Sequence, residues 1–236
     1  MCIRDRLSTH SRLHGSDSYR VPWLFSKEGE ENGEESVAVV RKFSELKCTL
    51  MPYMFSAAVN THKTGVPTMR AMVLEFPDDI PCEDLDRQYM LGDSLMVAPV
   101  FTKEGDVTYY LPEGKWTDFF TGQVFEGNHT YELFVPLDRI PVFVKEGGIV
   151  PLLADYRNND QEFRSLEVCL YAGNGKYRLE DEAGGIDFSM QKTEDGIEIF
   201  VTKEETCPTE KLAIRVIGAS DTVYHVHGNM EYSIQI

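Results

Sequence analysis

The spacing of apolar residues changes near residue 95, and this change restricts the folds that the chain can adopt. Before it, residues 34–64 carry apolar side chains at three- and four-residue intervals, which predicts a helical segment with one buried face. Pro52 predicts a bend or a junction between two shorter helices, and Gly65 predicts the end of the segment. The nearly continuous apolar run over residues 68–76 is typical of a strand buried on both faces, as in a parallel sheet or barrel. A short helix is expected over residues 83–91.

After residue 95 the pattern is that of an all-β protein, with short runs rich in Val, Tyr and Phe separated by turn residues. A polar segment at residues 152–164 predicts a domain boundary, and the regular strand spacing after it suggests a sandwich. The predicted strands are 95–100, 107–111, 116–120, 123–126, 131–135 and 140–144, then 166–171, 176–180, 186–190, 197–202, 212–217, 222–226 and 232–236.

The first third of the chain lacks the elements needed to bury itself. One helical segment, one fully buried strand and one short helix cannot cover each other's apolar faces. A barrel of eight strands also needs its other strands to close. We therefore expect this region to be the end of a larger domain, and the chain to be part of a longer protein.

The composition is that of a folded protein with an acidic surface. Of its 236 residues, 42% are hydrophobic and 11% aromatic, which is enough apolar material for a core. The 39 acidic residues against 23 basic ones give a formal net charge of −16. Such a surface repels phosphate backbones and anionic lipid headgroups, so nucleic acid and membranes are not expected partners. No apolar run approaches the roughly 18–20 residues that cross a bilayer.

The cysteines favour free thiols over a metal or redox site. There are five of them, an odd number, and no two stand at a CxxC or CxxH spacing. The first six residues also lack the apolar core of a signal peptide. Together these features predict cytoplasmic residence and no metal site.

Nine ordered sequence blocks between residues 8 and 116 are the most specific signal in the chain. They are Ser-Thr-His-Ser-Arg-Leu-His-Gly-Ser (8–16), Ser-Tyr-Arg-Val-Pro-Trp (18–23), Leu-Lys-Cys (46–48), Met-Pro-Tyr (51–53), Met-Arg-Ala-Met (69–72), Glu-Phe-Pro-Asp-Asp (75–79), Leu-Asp-Arg-Gln-Tyr-Met-Leu-Gly-Asp (85–93), Met-Val-Ala-Pro-Val-Phe (96–101) and Tyr-Leu-Pro-Glu-Gly-Lys-Trp (110–116). Over about residues 8–152 the sequence resembles glycoside hydrolase family 31, most closely its bacterial α-xylosidases.

The resemblance implies a fold of an α/β barrel remnant plus all-β domains. In this fold the C-terminal end of a (β/α)8 barrel occupies residues 8–94. A proximal antiparallel β-sandwich domain over residues 95–152 and a distal one over residues 153–236 follow it. Residues 1–7 are expected to be a non-native or unstructured stretch, because residues 1–6 match nothing in the family.

The resemblance also implies the chemistry. Family members cleave α-glycosidic bonds with retention, which requires two carboxyl groups roughly 5–5.5 Å apart, and they need no cofactor. Both groups are aspartates on barrel strands that precede the segment present here, and no position of this sequence matches either motif. No catalytic residue is therefore assigned, and Glu75, Asp78 and Asp79 are not taken as candidates.

Two residues are candidates for the sugar site through the resemblance. His14 matches a family histidine that hydrogen-bonds sugar hydroxyls in the −1 subsite, where an imidazole can donate or accept without bringing a full charge. Arg12 either bridges to an aspartate of the barrel and orients the site or is simply solvated, and both alternatives stay open.

The implied partners are small carbohydrates, namely α-xylosides and xyloglucan-type oligosaccharides, with a parent protein that forms homo-oligomers. Two alternatives remain. One is a family 31 α-glucosidase, although the sequence Ser-Arg-Leu-His-Gly-Ser around His14 differs from the Arg-Asn-His-Asn pattern typical of those enzymes. The other is a stand-alone, non-catalytic module that binds carbohydrate or mediates assembly.

Overall fold

The computed structural model describes residue 7 and residues 33–154, 163–219, 222–226 and 232–235. In these residues two long helices precede sixteen strands, which form four sheets. The described part contains no helix that combines the length and the hydrophobicity needed to span a bilayer.

The two long helices, α1 (Gly33–Thr49) and α2 (Met51–Thr64), confirm the predicted helical segment and its junction. Pro52 lies in the first turn of α2, where its missing N–H removes no helical hydrogen bond. Gly65 ends α2 in the left-handed conformation, with φ of 78°, and its N–H donates to the Thr61 carbonyl at 2.8 Å. The predicted stop at Gly65 is therefore confirmed.

The first eight strands form one six-stranded sheet and one separate strand pair. They are β1 (Met69–Ala71), β2 (Tyr89–Leu91), β3 (Leu95–Val97), β4 (Asp106–Leu111), β5 (Lys115–Asp118), β6 (Val124–Glu126), β7 (His129–Phe134) and β8 (Val142–Lys145). The sheet has the order β1-β2-β3-β8-β5-β6, and β4 pairs with β7. All of these pairs are antiparallel. The core between them centres on Met90, Met96, Tyr109, Trp116 and Phe143.

The predicted continuous strand over residues 68–76 is wrong. Its first part is the three-residue strand β1, and the short helix α3 (Met72–Glu75) follows directly. The apolar run is not buried on both faces, because Met72 is 0% exposed while Leu74 is 65% exposed. The strand pairs antiparallel with β2, so nothing in its pairing is that of a parallel barrel.

The predicted helix over residues 83–91 is also wrong. The end of that range is β2, which pairs with β1 on one side and with β3 on the other. A single 3-10 turn at Ile80–Cys82 lies before it. The strand β2 pairs with both β1 and β3, so all three belong to one sheet. This sheet therefore contains residues from both sides of the domain boundary expected between residues 94 and 95.

The remaining strands form a two-layer sandwich, as predicted. They are β9 (Ile149–Leu153), β10 (Ser165–Tyr171), β11 (Gly175–Asp181), β12 (Gly184–Thr193), β13 (Gly196–Lys203), β14 (Lys211–Ile217), β15 (Val223–Val226) and β16 (Tyr232–Gln235). One sheet has the order β15-β14-β10-β9 and the other β11-β12-β13-β16. Inward side chains of both sheets, including Val168, Phe188, Ile199 and Ile214, form a shared core that we call the distal core.

Two details of the sandwich differ from expectation. It is not wholly antiparallel, because β10 and β14 pair in parallel from Ser165↔Lys211 to Tyr171↔Ile217. A parallel pair needs a crossover connection, and the chain makes it through three strands of the opposite sheet. The sandwich also begins at Ile149 rather than at residue 153, because β9 pairs with β10.

Candidate functional site

The predicted sugar-site residues Arg12 and His14 lie outside the described residues. The structure does describe the positions on either side of their segment, Leu7 and Gly33. Leu7 is 2% exposed and packs in the same apolar cluster as Val39 and Phe43 of α1. Leu7 is therefore buried, which differs from the expectation for that residue, while residues 1–6 lie outside the described residues.

That cluster, which we call the junction core, joins the helices to both β regions. The helices contribute Val39, Phe43 and Tyr53, and Leu50 lies between the two helices. The strands contribute Leu91, Leu95, Val97, Val142, Val144, Val150, Cys169 and Tyr171. Leu7 thus lies where the helices and both β regions meet.

Tyr53 supplies the polar contacts at the centre of the junction core. Its hydroxyl donates to the Leu91 carbonyl at 2.7 Å and accepts from the Ser94 N–H at 2.8 Å. Burial raises the pKa of this phenol well above its usual range, so the hydroxyl stays protonated and remains a donor. Gly92 lies against the same hydroxyl, and a β-carbon there would collide with it.

The helix α2 also covers the free edge of β11. The Ser56 hydroxyl accepts from the Glu180 N–H at 2.9 Å and donates to the Pro52 carbonyl at 2.8 Å. One edge group of β11 is thereby satisfied without a neighbouring strand. Lys63 adds an ion pair to Glu180 at 2.5 Å, so a hydrogen bond and an ion pair join α2 to the sandwich.

A polar cleft with a cavity volume of about 310 Å³ opens beside these contacts. It is lined by Asn60 and Lys63 of α2, by Asp93, and by Lys176 and Arg178 of β11. The charges that line it are of both signs and several are already paired, so the cleft has no strong preference for an anion or a cation.

The acidic residues of the 75–79 loop are engaged in structural contacts. Arg70, whose side chain is 6% exposed, donates to the Glu75 carboxylate at 2.9 Å and to Asp93 at 3.1 Å. It also donates to the Pro67 and Gly92 carbonyls. Glu75 is therefore a partner of a buried guanidinium, which agrees with its not being assigned a catalytic role.

Asp79 has a comparable structural partner. The Tyr110 hydroxyl donates to the Asp79 carboxylate at 3.1 Å. Burial, with a smaller effect of Asp79, raises the pKa of Tyr110 to about 12. Asp79 thus fixes the strand pair against the loop, and a cleft of about 420 Å³ lined by Asp78, Asp79, Glu113 and Asn128 lies outside it.

In the described part of the chain, no three His, Cys, Asp or Glu side chains are grouped so as to hold a metal ion. The described residues form the junction core and several polar surface clefts.

Comparisons with known proteins match this arrangement. Residues 65–150 match the model of the glycosyl hydrolase family 31 C-terminal domain. An alpha-xylosidase of Emericella nidulans is 36% identical over 214 residues, which are 82% of this chain and 26% of the relative. The alpha-xylosidase XylQ of Lactiplantibacillus pentosus is 35% identical over 94% of this chain and 28% of its own length.

A solved structure extends the likeness to the fold. The alpha-xylosidase of family 31 from Xanthomonas citri superposes with a TM-score of 0.78 at 27% sequence identity. The superposition covers 94% of this chain and 27% of that one. The chain thus spans about a quarter of the length of the relatives it matches.

Proposed function

The chain belongs to glycoside hydrolase family 31, and we propose that it is the C-terminal part of a longer retaining hydrolase that releases non-reducing α-linked xylose from oligosaccharides. The observation that carries this proposal is the agreement of sequence and fold with α-xylosidases over most of the chain.

In this proposal the long helices belong to the end of a (β/α)8 barrel. Supporting this, α1 and α2 present one apolar face to the junction core, while Met51 remains 46% exposed on the side away from it. The strands β1 and β2 belong to the six-stranded sheet, so the barrel part that we propose ends near Thr64.

The catalytic carboxyl groups of the proposed enzyme lie on barrel strands that precede this segment. Retention requires one carboxylate as nucleophile and one carboxyl group as acid and base, roughly 5–5.5 Å apart. The chain contributes His14, which hydrogen-bonds a sugar hydroxyl, and Arg12, which either orients an aspartate or is solvated.

A stand-alone binding module is the second candidate, and one observation favours it. All buried members of the distal core lie between Ile149 and Val226, so the sandwich encloses its own core. Such a module would hold carbohydrate without cleaving it.

Long-read sequencing upstream of the Met1 codon separates the two candidates. The enzyme proposal expects the reading frame to continue for several hundred codons and to encode two aspartates at the ends of barrel strands. An in-frame stop codon just before Met1 would contradict it and would leave the binding module as the function.

A further inference from the structure

The outer face of the sheet β11-β12-β13-β16 carries an exposed aromatic ring. In β13 the alternation places Ile199 and Val201 in the distal core, with 0% and 1% exposure, and Phe200 on the opposite face, with 43% exposure. In this strand the apolar residues face the core and the polar residues face outward. An aromatic residue on the outward face breaks that alternation, so the sequence pattern reveals it.

Polar side chains surround this ring because of the strand register. Phe200 stands opposite Ser189, and Ser189 stands opposite Lys176. Two residues further along each strand, Arg178, Asp187 and Thr202 form the neighbouring row on the same face. These six residues, which we call the Phe200 platform, line a depression of about 370 Å³. This volume is at the lower end of small-ligand sites, which span roughly 300–1,000 Å³.

Arg178 is held in place before any ligand arrives. Its guanidinium donates to Asp187 at 2.6 Å and to Glu204 at 2.5 Å, and it lies 3.5 Å from Glu180. Glu204 in turn accepts from the Gly185 N–H at 3.0 Å. A guanidinium fixed by carboxylates on both sides loses little freedom on binding, which favours recognition.

The charge balance of the platform selects the kind of ligand. The positive charge of Arg178 is offset by the adjacent carboxylates, and the chain as a whole carries a net charge of −16. Lys176 adds a single further positive charge to the platform. An anion therefore finds one lysine rather than a cationic cluster, and a neutral molecule with many hydroxyl groups fits better. The apolar face of a pyranose ring can cover Phe200 while its hydroxyls reach the hydroxyl and carboxylate groups beside it.

We propose that the Phe200 platform binds a neutral oligosaccharide. The ligand class rests on the proposed function, whereas the location rests on the geometry of the sheet. A lone exposed aromatic residue is common on protein surfaces. Here the ring lies on an inner strand, in a depression, beside a pre-positioned arginine, and these three features together distinguish it.

Saturation-transfer NMR on the chain tests the proposal with a xyloglucan heptasaccharide and isomaltotriose as neutral ligands and trigalacturonate as an anionic one. We expect transfer to both neutral sugars, with a Kd on the order of 1 mM, and at least tenfold weaker transfer to trigalacturonate. Phe200→Ala should reduce the signal at least fivefold, and Phe200→Trp should retain it. Phe120→Ala, which removes a comparably exposed phenylalanine (38% against 43%) from the β5–β6 turn, should have no effect. The thermal melt of each variant checks its fold.

The variant His14→Ala keeps this proposal distinguishable from the proposed function. Binding that survives His14→Ala and is lost in Phe200→Ala supports the platform. Binding lost in His14→Ala but unchanged in Phe200→Ala would overturn the platform and leave the proposed function standing. Absence of transfer at 10 mM sugar would also overturn the platform, whereas the hydrolase proposal is decided separately by the upstream reading frame.

Discussion

The rings of Tyr53 and Tyr177 stack with their centroids 5.9 Å apart and their planes 12° from parallel. The pair joins α2 to β11 across 124 positions of sequence, and the Tyr177 hydroxyl donates to the Tyr53 carbonyl at 3.5 Å. Burial raises the pKa of both phenols, so both rings stay neutral at any physiological pH. This contact therefore joins the helices to the sandwich.

Tyr53→Phe should lower the free energy of unfolding by about 1–3 kcal/mol. The substitution keeps the ring and its stacking but leaves the Leu91 carbonyl and the Ser94 N–H without their buried partner. The urea midpoint of unfolding measures the loss. Tyr131→Phe is the matched control, because its hydroxyl donates to the Glu126 carbonyl in an exposed setting. Equal losses in the two variants would show that the Tyr53 hydroxyl has no special role.

Gly92→Ala should destabilise the protein more than Gly122→Ala. Both glycines adopt left-handed φ values, 60° and 73°, so both substitutions carry backbone strain of roughly 1 kcal/mol. A β-carbon at Gly122 meets open space, whereas one at Gly92 collides with the Tyr53 hydroxyl, which adds an overpacking cost of about 1–3 kcal/mol. Differential scanning calorimetry should show the lower Tm for Gly92→Ala. Indistinguishable Tm values would contradict the close contact.

Arg70→Met should cost about 3 kcal/mol of unfolding free energy, near the lower end for breaking a buried ion pair. The lost guanidinium leaves Glu75 and Asp93 without their shared partner, and Glu75 is more than three-quarters buried. Arg87→Met is the control, because the Arg87 side chain is 71% exposed and lies 3.8 Å from an exposed Asp86. In the double variant Arg70→Met/Glu75→Gln the costs should be less than additive. Strict additivity would mean that the two groups do not interact.

At pH 8, iodoacetamide should label Cys48 before it labels Cys82 or Cys169. Burial is the main cause that raises the pKa of Cys82 to about 12 and of Cys169 to about 11, so their thiols stay protonated and unreactive. Folding favours the protonated thiols of Cys82 and Cys169. The contribution of these thiols to the free energy of unfolding is therefore complete below the unfolded thiol pKa of roughly 8.5. It declines as the pH rises toward 11–12. Peptide mapping by mass spectrometry measures the order, and in urea all three should react alike. Equal labelling under native conditions would contradict the burial.

Helices and strands long enough to repeat their apolar spacing could be predicted from the sequence, whereas the shortest strands could not. The helices over residues 33–64 and the long strands β10–β14 repeat their apolar spacing several times, so their type was clear. The strands β1 and β2 have three residues each, which is too short to show a repeated alternation of buried and exposed side chains. Met72 extends the apolar run of β1, although it is a buried residue of the helix α3. The strand β9 was missed because it contains Pro151, a residue typical of edge strands, and β9 is indeed at the edge of its sheet.

The contacts around the candidate site were the least predictable part. Tyr53 is buried in the junction core, but its partner Tyr177 lies on β11, and no local pattern links residues so far apart. The parallel pairing of β10 with β14 depends in the same way on a crossover through the opposite sheet. Arg12 and His14 remain predictions from the family resemblance, because they lie outside the described residues.

The ratio of kcat/KM for 4-nitrophenyl α-D-xyloside to that for 4-nitrophenyl α-D-glucoside tests the central claim most directly. It should be measured on the protein encoded by the complete reading frame at this locus, with the 236-residue chain alone as a control that shows no turnover above a heat-killed sample. A pocket that fits xylose and excludes one extra hydroxymethyl group should give a ratio of at least roughly 10. A ratio below 1 would contradict the α-xylosidase account in favour of an α-glucosidase, and hydrolysis of neither substrate would contradict the hydrolase account altogether.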